Sequence, residues 1–248
     1  MKELEDSLKY IDWSCPEYYF ADIAQILMGK YVIKKGKDIY RIVEIEFYVF
    51  SNDHKDFITY PRTTNAGEWF FHQSGVDLTF KSQDIDIKHK NGKIQINLGQ
   101  KPQFGGILIR GLYKMNPQKE EKTYIFGPQK CVNVLWDKFN ALLSSANEYP
   151  TIIRAPREHN LTAHNLTYCK RCINIKDENR SHKIEEWIQR LNLCNKVTDK
   201  EFDNYKKEMF DDEYTKLYRY FNLPLGVDPC SFTQIPLSSR PKKIWPIK

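Results

Sequence analysis

The chain has 248 residues, 41% of them hydrophobic, with 38 Lys and Arg against 32 Asp and Glu for a formal charge of +6. That supplies enough apolar sequence to bury a core in one large domain or in one domain plus an appendage. No stretch approaches the roughly 18 apolar residues of a crossing helix, so neither a membrane span nor a secretory leader is expected.

In chain order, residues 17–29 predict a helix, with Phe20, Ile23, Ala24 and Leu27 on one stripe and Gly29 as the stop. Strands are predicted at about 30–35 and 39–50, followed by a polar loop over 51–68 that contains Pro61, Asn65 and Gly67. Trp69-Phe70-Phe71 leads through Ser74-Gly75 into a strand from Val76 to Phe80. Two strands, 85–90 and 93–98, flank Asn91-Gly92, a hairpin signal because both turn positions need positive φ. Gly105 to Tyr113 reads as a further strand, apolar except for Arg110, and 128–146 as a helix. Beyond 150 the character changes. Residues 150–180 read as basic loop, and Ile184, Trp187, Ile188 and Leu191 make an amphipathic helical stripe. Thr198-Asp199-Lys200-Glu201 is a capping-box pattern opening a helix near 199–221, and a Pro- and Ser-rich tail follows from Pro224.

Strands clustered first with helices around them predict an α+β fold, a single domain with a curved, mostly antiparallel sheet and flanking helices. Residues 1–150 are expected to form the core, and 151–248 a basic helical extension and tail packed on it. Residues 1–149 carry 20 Lys and Arg against 19 Asp and Glu, whereas 150–248 carry 18 against 13. A surplus so placed is compatible with a polyanion partner. Six cysteines scattered through so long a chain suit a reducing, cytoplasmic compartment better than a disulfide scaffold.

The strand 39–50 carries the chemistry. Val43, Ile45, Phe47 and Val49 alternate with Ile42, Glu44, Glu46 and Tyr48, so Glu46 and Tyr48 share a face about 7 Å apart. Carboxylates in so apolar a strand face water, a partner or a cavity, because burying them alone is costly. Arg110, equally isolated in its strand, needs an acidic partner, and Glu46 is the candidate. Cys169-Lys170-Arg171-Cys172 has half of a zinc spacing but no second close pair, so no metal is assigned. His72 and His89 read as surface residues.

Four segments, in order, resemble the alkyladenine (3-methyladenine) DNA glycosylase family. Leu27-Met28-Gly29-Lys30 is similar to its leucine-leucine-glycine entry into the first strand. Arg41-Ile42-Val43-Glu44-Ile45-Glu46-Phe47-Tyr48 resembles its signature, arginine-isoleucine-valine-glutamate-x-glutamate-alanine-tyrosine. Gly105 to Leu112 looks like its apolar strand ending in arginine-alanine-leucine, and Phe126-Gly127-Pro128-Gln129-Lys130-Cys131 like its glycine-proline-x-lysine-leucine turn. The resemblance covers roughly residues 20–140.

The resemblance implies a monofunctional glycosylase that hydrolyses the N-glycosidic bond of a damaged purine in DNA. Glu46 would be the general base for the attacking water and Arg110 would stand beside that water. Tyr48 and Phe80 would stack on the flipped base, Asn97 would crowd the amine of guanine, and His54 would contact the base if the loop is realigned, since the ungapped position holds Phe57. No cofactor is implied, and the partner would be damaged DNA, bound by a monomer. The family's bulky wedge falls on Gln83, ahead of a hairpin about seven residues longer than the family's connection. Loss of the wedge predicts a preference for single-stranded or mismatched substrates. Two rival readings are a non-catalytic nucleic-acid-binding relative and a hydrolase acting on single strands or free nucleosides.

Overall fold

The computed structural model describes residues 1–115, 124–137, 149–156, 166–169, 171, 182, 185–186, 188–190, 198–200, 203–204, 218–223 and 242–243. Helix α1 (Lys2–Lys9) and helix α2 (Glu17–Lys30) precede β1 (Tyr31–Lys35) and β2 (Asp38–Ser51). Strands β3 (Trp69–His72), β4 (Gly75–Thr79), β5 (Gln83–Lys90) and β6 (Lys93–Lys114) follow. After β7 (Tyr124–Phe126) and helix α3 (Pro128–Leu135) come four short strands, β8 (Thr151–Arg154), β9 (Leu166–Cys169), β10 (Arg219–Asn222) and β11 (Lys242–Lys243).

The strands form one curled antiparallel sheet in the order β11-β9-β10-β2-β6-β4-β3, with β1 beside the first part of β2, β8 beside β1, and β5 and β7 beside β6. The fold is a single α+β domain. Its main core lies on one face of the sheet. Ile45, Phe47, Val49, Leu78, Phe80, Ile107 and Ile109 meet Leu4 and Leu8 of α1, Phe20, Ile23 and Leu27 of α2, and Cys131 and Leu135 of α3. Phe20 stacks on Phe47 with ring centroids 4.2 Å apart. Among the described residues no helix is long and apolar enough to cross a membrane.

Several expectations are corrected. The helix foreseen over 128–146 ends at Leu135, and 138–148 lie outside the described residues. The stretch read as loop over 150–180 contains β8 and β9, and the end of the helix foreseen to 221 is instead the strand β10. The reason is side-chain chemistry: Tyr218, Tyr220 and Phe221 bury flat rings against sheet neighbours, a use that suits aromatic residues in a strand. Four strands from beyond residue 150, β8 to β11, pair within the sheet. Of the stripe near 184–191, Ile188 is helical and buried, whereas Ile184, Trp187 and Leu191 lie outside the described residues, as does most of the tail.

The alternation along β2 is also interrupted. Ile42 pairs with Leu112 and Glu44 with Gly111, leaving Val43 extra on β2; Ile45 then pairs with Ile109, leaving Arg110 extra on β6. These paired bulges turn Ile42 into the main core and Val43 away from it, onto Cys169, Phe221 and Leu223. Bulges re-aim side chains, and here they set Glu44 and Arg110 against each other.

Candidate functional site

Opposite the main core, the sheet carries a buried layer of charge. Across it, Arg219 on β10 registers with Glu46 on β2, Glu46 with Leu108 on β6, Leu108 with Asp77 on β4, and Asp77 with Phe70 on β3. Glu44 and Glu46 are each 1% exposed and Arg219 is fully buried. Arg110, 19% exposed, reaches the surface.

The two carboxylates are used differently. Glu44 Oε1 accepts from Arg110 Nε at 2.9 Å and Arg219 Nε at 2.8 Å, with Arg219 Nη2 at 2.6 Å. Glu46 Oε2 accepts from Arg110 Nη1 at 3.1 Å and from the Tyr48 hydroxyl at 2.7 Å. Among the described residues nothing donates to Glu46 Oε1, which is buried; Arg219 Nε lies 3.6 Å from it. Glu44 is thus the anchor that holds both guanidinium groups, and Glu46 is the carboxylate with a lone pair to spare.

Arg171 completes the layer. Its guanidinium is 1% exposed at the side chain, donates to Asp56 Oδ2 at 2.7 Å and to the Phe47 carbonyl at 2.9 Å, and lies 4.5 Å from the Tyr48 ring centroid. Among the described residues, three carboxylates, Glu44, Glu46 and Asp56, therefore face three guanidinium groups, Arg110, Arg171 and Arg219. Balance of this kind is what makes buried charge tolerable. Burial by itself would lower the Arg110 pKa, but Glu46 and Glu44 outweigh it and hold the group charged; the Asp56 carboxylate does the same for Arg171. Burial, and then the Glu46 carboxylate, push the Tyr48 phenol well above its ordinary value, so Tyr48 stays protonated and donates.

Two glycines make room for this layer. A Cβ on Gly111 would sit 2.7 Å from the Cβ of Glu44, and one on Gly106 would meet Arg62 Nη1 at 2.6 Å and the Asp77 Cβ at 2.7 Å. Over Gly106 lies a second buried group. Arg62 Nη1 donates to Asp77 Oδ2 at 2.5 Å and His72 Nε2 lies 3.0 Å from Asp77 Oδ1. The His72 side chain is only 7% exposed, so the expectation of a surface histidine is corrected: its ring lies beside Tyr60 and Phe70, and Ser74 N–H donates to its Nδ1. Burial raises the Asp77 pKa, yet Arg62 and His72 overcome that and hold it below the usual carboxylate value.

Of the sequence-derived site residues, the structure brings Glu46, Arg110 and Tyr48 together and separates the others. Phe80 is fully buried on the opposite face, edge-on to Trp13 at 6.0 Å and 6.4 Å from Phe47, so it is a core ring and not a partner for Tyr48 across a gap. Asn97 is exposed on the β5–β6 hairpin opposite Asp86, 13 positions along the same strand from Arg110. His54 is buried behind the site, with Nε2 3.4 Å from the Tyr218 hydroxyl and Nδ1 3.4 Å from Glu17. Phe57 is buried edge-on to Phe50 at 5.8 Å. Gln83 begins β5, exposed, opposite Gln103. Cys169 is buried in the cluster with Phe221, and Cys172 lies outside the described residues. Arg219, Arg171 and Asp56 were not foreseen. The one available signal was Arg219 standing between Tyr218, Tyr220 and Phe221, an isolated cation in an aromatic run.

No family model matches the chain, and no solved structure matches it. A curated relative, an uncharacterized protein of Acanthamoeba polyphaga mimivirus, is 28% identical over 137 residues. That alignment covers 50% of this chain and 59% of the relative, so the chain spans less than two thirds of the relative it matches.

Proposed function

We propose that the protein is a monofunctional hydrolase of N-glycosidic bonds, acting on a damaged (alkylated or deaminated) purine in DNA. Glu46 is its general base and water its nucleophile. The observation that carries this reading is the inequality of the two oxygens of Glu46: Oε2 is fixed by Arg110 and Tyr48, while Oε1 is buried with no donor. A carboxylate held rigidly by one oxygen presents the other for a water proton, which is the geometry general-base catalysis needs. Arg110, charged and partly exposed, is placed to orient that water and the departing base. Among the described residues, the groups that contact Glu46 are guanidinium groups and a phenol, none of them a primary amine able to form a Schiff base, which favours water over an amine. The resemblance of residues 20–140 to the alkyladenine glycosylases supplies the substrate class.

A second reading is a non-catalytic nucleic-acid-binding relative. It is favoured by Arg171, which covers one face of the Tyr48 ring that a flipped base would need. Base release from DNA containing hypoxanthine or 3-methyladenine separates the two. Wild type should leave an abasic site and Glu46→Gln should not, since the amide keeps the shape but cannot take the proton. Equal release by both removes Glu46 as the base, and binding without release on any substrate favours the second reading.

A further inference from the structure

On the core face of the sheet, away from the charged layer, α1 and the neighbouring strands enclose a cavity of about 410 Å³. Successive residues of a strand face opposite ways, so Leu78 of β4 lines this cavity while its neighbour Asp77 lies in the charged layer. Leu4 and Leu8 of α1 make one wall, Trp69 and Leu78 a second, and Ile152 of β8 a third. Leu4, Leu8, Leu78 and Ile152 all belong to the main core, so the cavity is an inlet into that core. Its volume falls in the range of about 300–1,000 Å³ that small-molecule sites occupy.

The walls are pinned. Lys81 N–H donates to the Leu8 carbonyl at 3.1 Å toward one end of α1, and Lys30 of α2 pairs with Glu3 at 2.5 Å toward the other. Trp69 donates its indole N–H to the Pro150 carbonyl at 3.0 Å and stands nearly perpendicular to the Trp136 ring, 5.4 Å away. With its one polar atom committed, the half-buried indole contributes ring surface to the cavity and no hydrogen-bonding group.

Glu5 gives the cavity its chemical character. It lies between Leu4 and Leu8 on α1, and among the described residues that line the cavity it alone is charged. Its ion-pair partner on the next turn, Lys9, does not line the cavity. Lys9 holds the Glu5 carboxyl below its ordinary value, so Glu5 is an anion at neutral pH. A carboxylate bonded to one ammonium still has lone pairs to give. The indole ring and the carboxylate attract the same kind of group: an aromatic face draws a cation, and a carboxylate accepts a charge-assisted hydrogen bond from an ammonium. The aliphatic walls call for an apolar body, and Trp69 favours a ring beside it. An acid of the same shape would bring like charge to Glu5.

We propose that this cavity binds an organic ammonium ion with an aromatic body. The ring enters between Leu4, Leu8 and Leu78 beside Trp69, and the ammonium group stays at the mouth with Glu5. The site does not depend on the hydrolase reading, since the sheet separates it from Glu46.

Three molecules of similar shape test this: tryptamine, a cation; indole, neutral; and indole-3-propionate, an anion. Each is titrated into the full nitrogen-15-labelled chain and followed by the Trp69 indole N–H resonance, assigned by its loss in Trp69→Phe. Tryptamine should give a saturable shift and bind about tenfold tighter than indole-3-propionate, the size of one screened attraction for the cation and one repulsion for the anion. Glu5→Gln should bring those two within about twofold of each other and leave indole binding unchanged. Ala66→Leu adds bulk to the lining and should weaken all three by about tenfold or more, because the added carbons take the ligand's space. Thr151→Leu does the same from β8, so the test survives if one of these variants misfolds by circular dichroism. No saturable shift with any of the three molecules overturns the site, and so does binding that the folded filling variants leave unchanged. Indole-3-propionate binding as tightly as tryptamine, or a tryptamine preference that survives Glu5→Gln, overturns the ammonium assignment.

Discussion

Arg219→Met tests the charge layer most directly, because it removes a cation while keeping a long side chain. Arg219 is fully buried and meets Glu44 Oε1 from Nε at 2.8 Å and Nη2 at 2.6 Å. Without it, Arg110 is the one cation among the described residues still hydrogen-bonded to Glu44 and Glu46, each 1% exposed, and one negative charge loses its partner in the interior. Breaking one side of a buried pair costs about 3–5 kcal/mol. At about 2–4 °C per kcal/mol for a domain of this size, Tm should fall by about 6–20 °C. Thermal unfolding followed by circular dichroism reads this. The double variant Glu44→Gln with Arg219→Met leaves Glu46 facing Arg110, a balanced pair, and should recover most of the loss. If Arg219→Met melts within about 1 kcal/mol of wild type, or the double variant loses as much as the two single changes added together, the balanced-layer argument is wrong.

Gly106→Ala should destabilise by about 1–3 kcal/mol in chemical denaturation, because its methyl group would overlap Arg62 and Asp77, which are packed against the rest of that face. Tyr48→Phe keeps the ring under Arg171 but removes the hydroxyl from Glu46 Oε2, so base release should drop while stability changes by no more than about 1.5 kcal/mol. The folded-state pKa of Asp77 lies below its unfolded value of about 3.9, so its contribution to stability is present above that pH and is lost as pH falls through the folded value. Asp77→Asn should accordingly flatten the stability curve below about pH 4, and an unchanged acid limb would show that Arg62 and His72 do not hold this carboxylate.

Much of the fold was legible because local rules and burial agree. The stripe Phe20, Ile23, Ala24 and Leu27 makes α2 amphipathic in sequence and buries in the structure. The Asn91-Gly92 turn can only be a left-handed pair, so the hairpin around it follows from chemistry alone. Isolated charges in apolar strands gave Glu46 and Arg110 as partners before any coordinates, because a buried charge must find its opposite. Tertiary structure decided what has no local signature. Whether Phe80 faces Tyr48 or the core depends on long-range pairing: Tyr48 and Thr79 both pair with Gly106, so Phe80, the next residue, turns to the core face, and nothing local records that register. Arg219 and Arg171 come to Glu46 and Tyr48 from more than 120 positions away, through pairing of β10 with β2 and through Asp56. Period and turn chemistry act over a few residues, whereas the neutrality of a buried site is settled over the whole chain. The strand that presents Glu46 is therefore written in its own residues, and the cations that hold it in place are fixed only by the assembled sheet.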